Sequence, residues 1–140
     1  MAFEVETRSL QGRVTAIGSA GGHTLVIDRP EAAGGGGLGF NGGELLHLAV
    51  AGCVSNDLFR EALAAGIRLD SVRVRVRGEF GGDPAVSTGI RYDVEVAGNA
   101  SEAQLAALVE RVDRIAEIPG TLRRGAAVQL GEASVRRTTA

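Results

Sequence analysis

From Leu45 to Val54 the chain carries no charged residue, and His47 is the only polar side chain in that stretch. Asn41 precedes it as an N-cap, and Glu44 three residues later completes a capping-box pattern. Gly66 suits a C′ position, so a helix is predicted from about Gly42 to Ala65. A helix that is apolar all round is a buried helix, and this one is too short in its apolar part to cross a membrane. The rest of the molecule, or a second copy of it, must therefore wrap around the helix. With 140 residues the chain reads as one domain, residues 1–140, long enough for a real core. Apolar residues make up 44% of it and charged residues 23%, which is a globular balance. Gly is abundant, aromatics are scarce and Trp is absent, so further burial is expected from a partner subunit.

The remaining elements follow from period and punctuation. Phe3 to Arg8, Arg13 to Ile17 and Thr24 to Asp28 read as three short strands of an antiparallel meander, with turn chemistry across Gly18 to Gly22. Pro30 to Gly43 contains four consecutive glycines and is expected to be a mobile loop. Val72, Val74 and Val76 alternate with Arg73, Arg75 and Arg77, and Ile90, Tyr92, Val94 and Val96 alternate with Arg91, Asp93 and Glu95. That is a hairpin with one apolar and one charged face, turned at Gly81-Gly82-Asp83-Pro84. Its arginines read as a solvated face paired with the acids opposite. Ser101 to Glu117 is a second helix, opened by Ser101 and Gln104 and stopped by Pro119-Gly120. A last strand is expected around Ala127 to Arg137. The order is βββ-α-ββ-α-β, an α+β plan with mainly antiparallel sheet.

Charge and composition narrow the chemistry. The net charge is −2 and every basic residue is an arginine, so the chain lacks the electrostatic footprint of a nucleic-acid binder and has no lysine nucleophile. No apolar h-region opens the sequence and no apolar run has the length of a membrane span, so a cytoplasmic protein is expected. Gly37-Leu38-Gly39-Phe40-Asn41-Gly42 fits G-x-G-x-x-G, yet no strand leads directly into it, and it reads as a loop capped by Asn41. His23 and His47 lack metal-ligand spacing, and with one Cys no intrachain disulfide and no Cys-based metal site can form. No cofactor is expected.

Cys53 lies on the apolar helix, on one face with Leu46, Ala49, Asp57 and Arg60. A redox thiol needs a nearby cation or a helix N-terminus to favour the thiolate. The helix dipole fades within the first turn, and Asp57 one turn on opposes a thiolate. An activating cation must therefore come from elsewhere, and Arg29 or Arg60 of a partner chain are the candidates.

The segment Gly39-Phe40-Asn41-Gly42-Gly43-Glu44-Leu45-Leu46, followed by Ala49-Val50-Ala51-Gly52-Cys53-Val54, resembles the superfamily of osmotically inducible protein C (OsmC) and organic hydroperoxide resistance (Ohr) proteins. The usual form there is Asn-Pro-Glu-Glu-Leu, a short apolar stretch and Ala-Ala-Cys, and the spacing from Asn41 to Cys53 matches it without a gap. The resemblance implies an intertwined homodimer with pockets at the subunit interface. It also implies thiol peroxidase chemistry, in which one Cys attacks the peroxide O–O bond and becomes a sulfenic acid. A second Cys resolves that acid to a disulfide, an external dithiol reduces it, and an Arg and a Glu activate the first thiolate.

Cys53 matches the attacking Cys and Glu44 the second, capping Glu of the motif. Gly42 stands where the family has Pro, Gly43 where it has its first Glu, Ile118 where it has the resolving Cys, and Leu10 where it has the Arg, with Arg8 and Arg13 nearby. Without a second Cys, turnover would need an external thiol. The resemblance therefore points to an OsmC-like dimer with a degenerate peroxidase site that binds a small apolar molecule at its interface. Phe40, Asn41 and Glu44 at the loop-to-helix start are its candidate binding residues. The alternative is a one-Cys organic hydroperoxide reductase in which Cys53 is catalytic and an external thiol is the reductant.

Overall fold

The computed structural model describes residues 1–139. Strands β1 (Val5–Ser9), β2 (Ala16–Ala20) and β3 (His23–Ile27) form an antiparallel sheet in chain order. Helix α1 spans Gly42–Ala64, and β4 (Leu69–Gly81) and β5 (Val86–Gly98) form a separate antiparallel pair. Helices α2 (Glu102–Ile115) and α3 (Glu117–Arg124) follow. Among the described residues no helix is long and apolar enough to cross a membrane.

The sequence patterns that act locally are realised in detail. Both capping boxes form, at Asn41 with Glu44 and at Ser101 with Gln104. The hairpin pairs Val72 with Val96, Val74 with Val94 and Val76 with Tyr92, so its alternate residues share one apolar face. On the other face Arg73 meets Glu95 at 3.8 Å and Arg77 meets Asp93 at 3.4 Å, both exposed.

Four expectations are corrected. The chain ends in a helix and not in a strand: the order is βββ-α-ββ-α-α, and residues 127–137 carry no strand. A strand needs a hydrogen-bonding neighbour, and among the described residues this segment has none. Pro119 does not stop the second helix, which has already ended at Ile115, but sits in the first turn of α3, where its missing N–H has no partner to lose. The second strand starts three residues late, at Ala16 instead of Arg13, because Gly12 at φ +69° turns the chain and Arg13 N–H bonds back to the Leu10 carbonyl. The glycine-rich loop is tied down, as described below.

The core lies where α1 crosses the hairpin and meets α2. Val50, Val54, Leu58 and Ala62 recur along one side of α1 and pack with Leu108, Val112 and Ala116. The Val72, Val74 and Val76 row closes it from below. The far side of α1 is left open by the rest of the described residues: Phe59 is half exposed and Leu63 is 81% exposed.

Candidate functional site

The approach to α1 is built on Asp28, which is 2% exposed. Its Oδ2 accepts the Thr15 hydroxyl at 2.9 Å and the Leu38 amide at 3.2 Å; its Oδ1 accepts the Arg29 and Gly36 amides at 2.8 and 3.1 Å. Hydrogen bonds to a carboxylate favour the ionised form, and this set, led by Gly36, holds Asp28 down to about 2. The glycine run thus wraps around an internal anion. A Cβ on Gly35 would lie 2.1 Å from the Arg29 carbonyl oxygen, so only glycine lets the loop close this tightly. Across the loop's mouth, Phe40 N–H bonds to the Val26 carbonyl and Asp28 N–H to the Phe40 carbonyl, each at 3.0 Å.

Phe40 is therefore pinned at the threshold of α1. Asn41 and Glu44 next to it satisfy each other: the Glu44 amide donates to Asn41 Oδ1 at 2.9 Å, and the Asn41 amide donates to Glu44 Oε1 at 3.1 Å. Both polar groups work first as the helix cap. Phe40 and Glu44 also line a cavity of about 430 Å³ between the start of α1 and β4, with His47, Leu48, Ala51 and the Val74–Val76 stretch. Asn41 is not on that wall.

His47 has a defined place in this wall. Its Nδ1 lies 2.6 Å from the Gly43 carbonyl oxygen, which only accepts, so Nδ1 carries a proton. Nε2 is buried without a partner. It rests against Gly78 of β4, where a Cβ would lie 2.2 Å from it, and its ring meets Phe80 edge-on. Nothing in the local sequence links position 47 to position 78.

Cys53 lies elsewhere. It is half-buried and packs against the core cluster on another side of α1, and it is not among the residues lining the cavity. Arg60, the cation on its own helix face, is held by Asp57 at 3.0 Å and Glu61 at 3.3 Å. Glu61 in turn accepts Arg111 at 2.8 Å, the main cause of its lowered pKa. Of the positions matched to the family's supporting groups, Leu10 is exposed just beyond β1, and Ile118 packs on the same core cluster as Cys53. At Gly43 a Cβ would sit 2.9 Å from Phe80 Cε2, so a glutamate there requires the Phe80 ring to turn away.

Residues 34–131 match the family model described as OsmC-like protein. The chain belongs to the OsmC-like family. Solved structures agree with the fold. An OsmC-like protein from Mycoplasma pneumoniae superposes with a TM-score of 0.75 at 16% identity, covering 88% of each chain. An organic hydroperoxide resistance protein OsmC from Legionella pneumophila gives 0.60 at 17% identity, covering 88% of this chain and 90% of its own. An organic hydroperoxide resistance protein from Elizabethkingia anophelis gives 0.60 at 15% identity, covering 88% and 89%. None of the curated proteins matches the sequence.

Proposed function

We propose that this OsmC-like protein is a homodimer that binds a small apolar molecule and has no peroxidase activity. The observation that carries the reading is the separation of the cavity from the thiol. The space is bounded by Phe40, Leu48, Ala51, Val74 and Val76, with Glu44, His47 and Arg75 among them; it is of ligand size, and Cys53 does not border it. The one cation on the cysteine's own helix face is engaged by carboxylates. The dimer is supported by the open side of α1, where Phe59 and Leu63 are exposed, and by Ile17 and Leu25 on the β1–β3 sheet, also exposed. Such a surface is unusual on a monomer. The segment 125–139, which holds no helix or strand and exposes Val128 and Leu130, offers residues for pairing with a second copy.

A thermal-shift series with apolar alcohols and esters tests binding, with Leu48→Glu as the control that puts a charge on the cavity wall. Stabilisation of wild type that disappears in Leu48→Glu supports the reading. No stabilisation by any ligand counts against it. Sedimentation at micromolar concentration tests the dimer, and a monomer removes it.

A second reading has one observation in its favour: Cys53 is half-buried, not sealed off, so a peroxide could reach it. It requires consumption of cumene hydroperoxide with an external thiol. That activity must vanish in Cys53→Ser. Equal consumption by wild type and variant eliminates it.

A further inference from the structure

Asn41-Gly42 opens α1 where the OsmC motif has Asn-Pro, and the exchange of Pro for Gly changes what the asparagine can undergo. A prolyl nitrogen carries no hydrogen and cannot close a ring on the preceding side chain. A glycyl amide can, and no Cβ stands in its way. Its nitrogen attacks Asn41 Cγ, a new N–Cγ bond closes a five-membered succinimide, and the Cγ–Nδ2 bond breaks. The amide proton leaves with that nitrogen as ammonia. Water then opens the ring: cleavage at Cγ gives aspartate, and cleavage at the main-chain carbonyl gives isoaspartate. Water is the only co-reactant.

The two reacting groups stand in different states in the fold. Gly42 is exposed, and a Cβ built on it would meet nothing within 4 Å. As the first amide of α1, its N–H has no partner within the helix. The asparagine, in contrast, is locked. Its Oδ1 accepts from the Glu44 amide at 2.9 Å, and its own amide donates to Glu44 Oε1 at 3.1 Å. At ψ 172° its Cβ and the Gly42 nitrogen are staggered about the Cα–C bond, whereas the five-membered ring needs them close to eclipsed. Phe40 is fixed on one side by its bonds to Val26 and Asp28, and α1 begins on the other. Asn41 therefore reaches the ring geometry only when the capping box opens.

We infer that Asn41 is a self-deamidation site held in check by its capping box with Glu44, and that the isoaspartate product unseats the start of α1. The two products differ physically. Aspartate keeps the acceptor for the Glu44 amide and places a negative charge at a helix N-terminus, both of which suit a cap. Isoaspartate runs the main chain through the side-chain carbons, lengthens it by one methylene and removes the side-chain acceptor. Phe40 and Glu44 flank the change and both line the cavity beside α1, so that wall moves with it. Nothing in this chemistry depends on what the cavity binds.

The test is peptide mass spectrometry of wild type, Glu44→Ala, Glu44→Gln and Gly42→Pro after incubation at mildly alkaline pH, each folded and unfolded in urea, with circular dichroism to confirm folding. Asn56, followed by Asp, and Asn99, followed by Ala, are internal comparisons. In unfolded wild type Asn41 converts fastest of the three, and folding slows it by about ten-fold or more, since the cap must open first. Folded Glu44→Ala converts roughly two- to ten-fold faster than folded wild type, in step with the cost of a lost cap. Glu44→Gln keeps the acceptor and stays at the wild-type rate. Gly42→Pro, at a position that suits proline, blocks conversion in both states. The isoaspartate fraction melts below wild type, whereas Asn41→Asp does not. Equal rates in folded and unfolded wild type, a Glu44→Ala rate no higher than wild type, or conversion that persists in Gly42→Pro overturns the guarded site. An isoaspartate fraction that melts with wild type overturns the unseating of α1.

Discussion

The Gly36 amide donates to Asp28 Oδ1 at 3.1 Å, eight residues back along the chain, and so closes the glycine-rich loop on a buried carboxylate. An ionised oxygen pair takes up the amides of residues that no side chain could replace. The loop in turn fixes Phe40 and the first turn of α1.

Asp28→Asn is expected to lower the melting temperature, because an amide cannot accept from all four donors. The effect has a definite pH sign. The folded pKa, about 2, lies below the ordinary value of 3.8, so the contribution is complete above 3.8 and is lost as pH falls through 2. Melting curves of the two proteins should differ at pH 6 and converge near pH 2. A constant gap down to pH 2 contradicts this account.

Gly78→Ala is expected to cost about 1–3 kcal/mol, the usual range for overpacking. The added carbon meets His47 Nε2 on one side and the Gly89 carbonyl oxygen, at 2.9 Å, on the other. Urea denaturation measures the loss. The double change Gly78→Ala/His47→Ala should recover part of it, because the ring that collides has gone.

Tyr92 is the only tyrosine and tryptophan is absent, so its ionisation can be followed directly by ultraviolet absorbance. Burial, and then the hydrogen bond to Asp113, push it up to about 12. The folded protein should ionise near 12 and the unfolded protein near 10. Since the folded value is the higher, this contribution is present below 10 and is lost as pH rises through 12. Asp113→Asn should move the folded titration back toward 10 without reaching it, because the burial remains.

Leu58 is fully buried where α1 meets the rest of the core. Leu58→Ala should destabilise the protein by about 2–5 kcal/mol, from lost transfer energy plus the cavity left behind. Leu63→Ala on the open side of the same helix should cost little in a monomer. A large cost there, accompanied by weaker association in sedimentation, marks Leu63 as an interface residue.

Much of the plan was legible in sequence. The cap at Asn41, the length of α1, the hairpin with its sorted faces and the motif ending at Cys53 all depend on residues within a turn of helix or along one strand. Caps and periodicity act over that range, so a linear reading can find them. The reading failed where a distant contact decides. The loop after Pro30 looked mobile because its glycines have no side chains, yet their amides are what Asp28 requires. A strand was expected near Ala127 because its residues suit one, but the segment pairs with none of the open edges of β1, β3, β4 or β5, and such long-range pairing is not written in its local pattern.

The sequence by itself determined the elements and their order up to the second helix, the family resemblance and the absence of a second cysteine. Only the tertiary structure decided that Phe40 and Glu44 share a cavity with His47 while Cys53 faces elsewhere, that Gly78 makes room for the imidazole, and that Tyr92 of β5, Asp113 of α2 and Arg123 of α3 join in one hydrogen-bonded junction. These relations join residues far apart in the chain, and their geometry follows from how α1 packs across the hairpin, which no local pattern encodes.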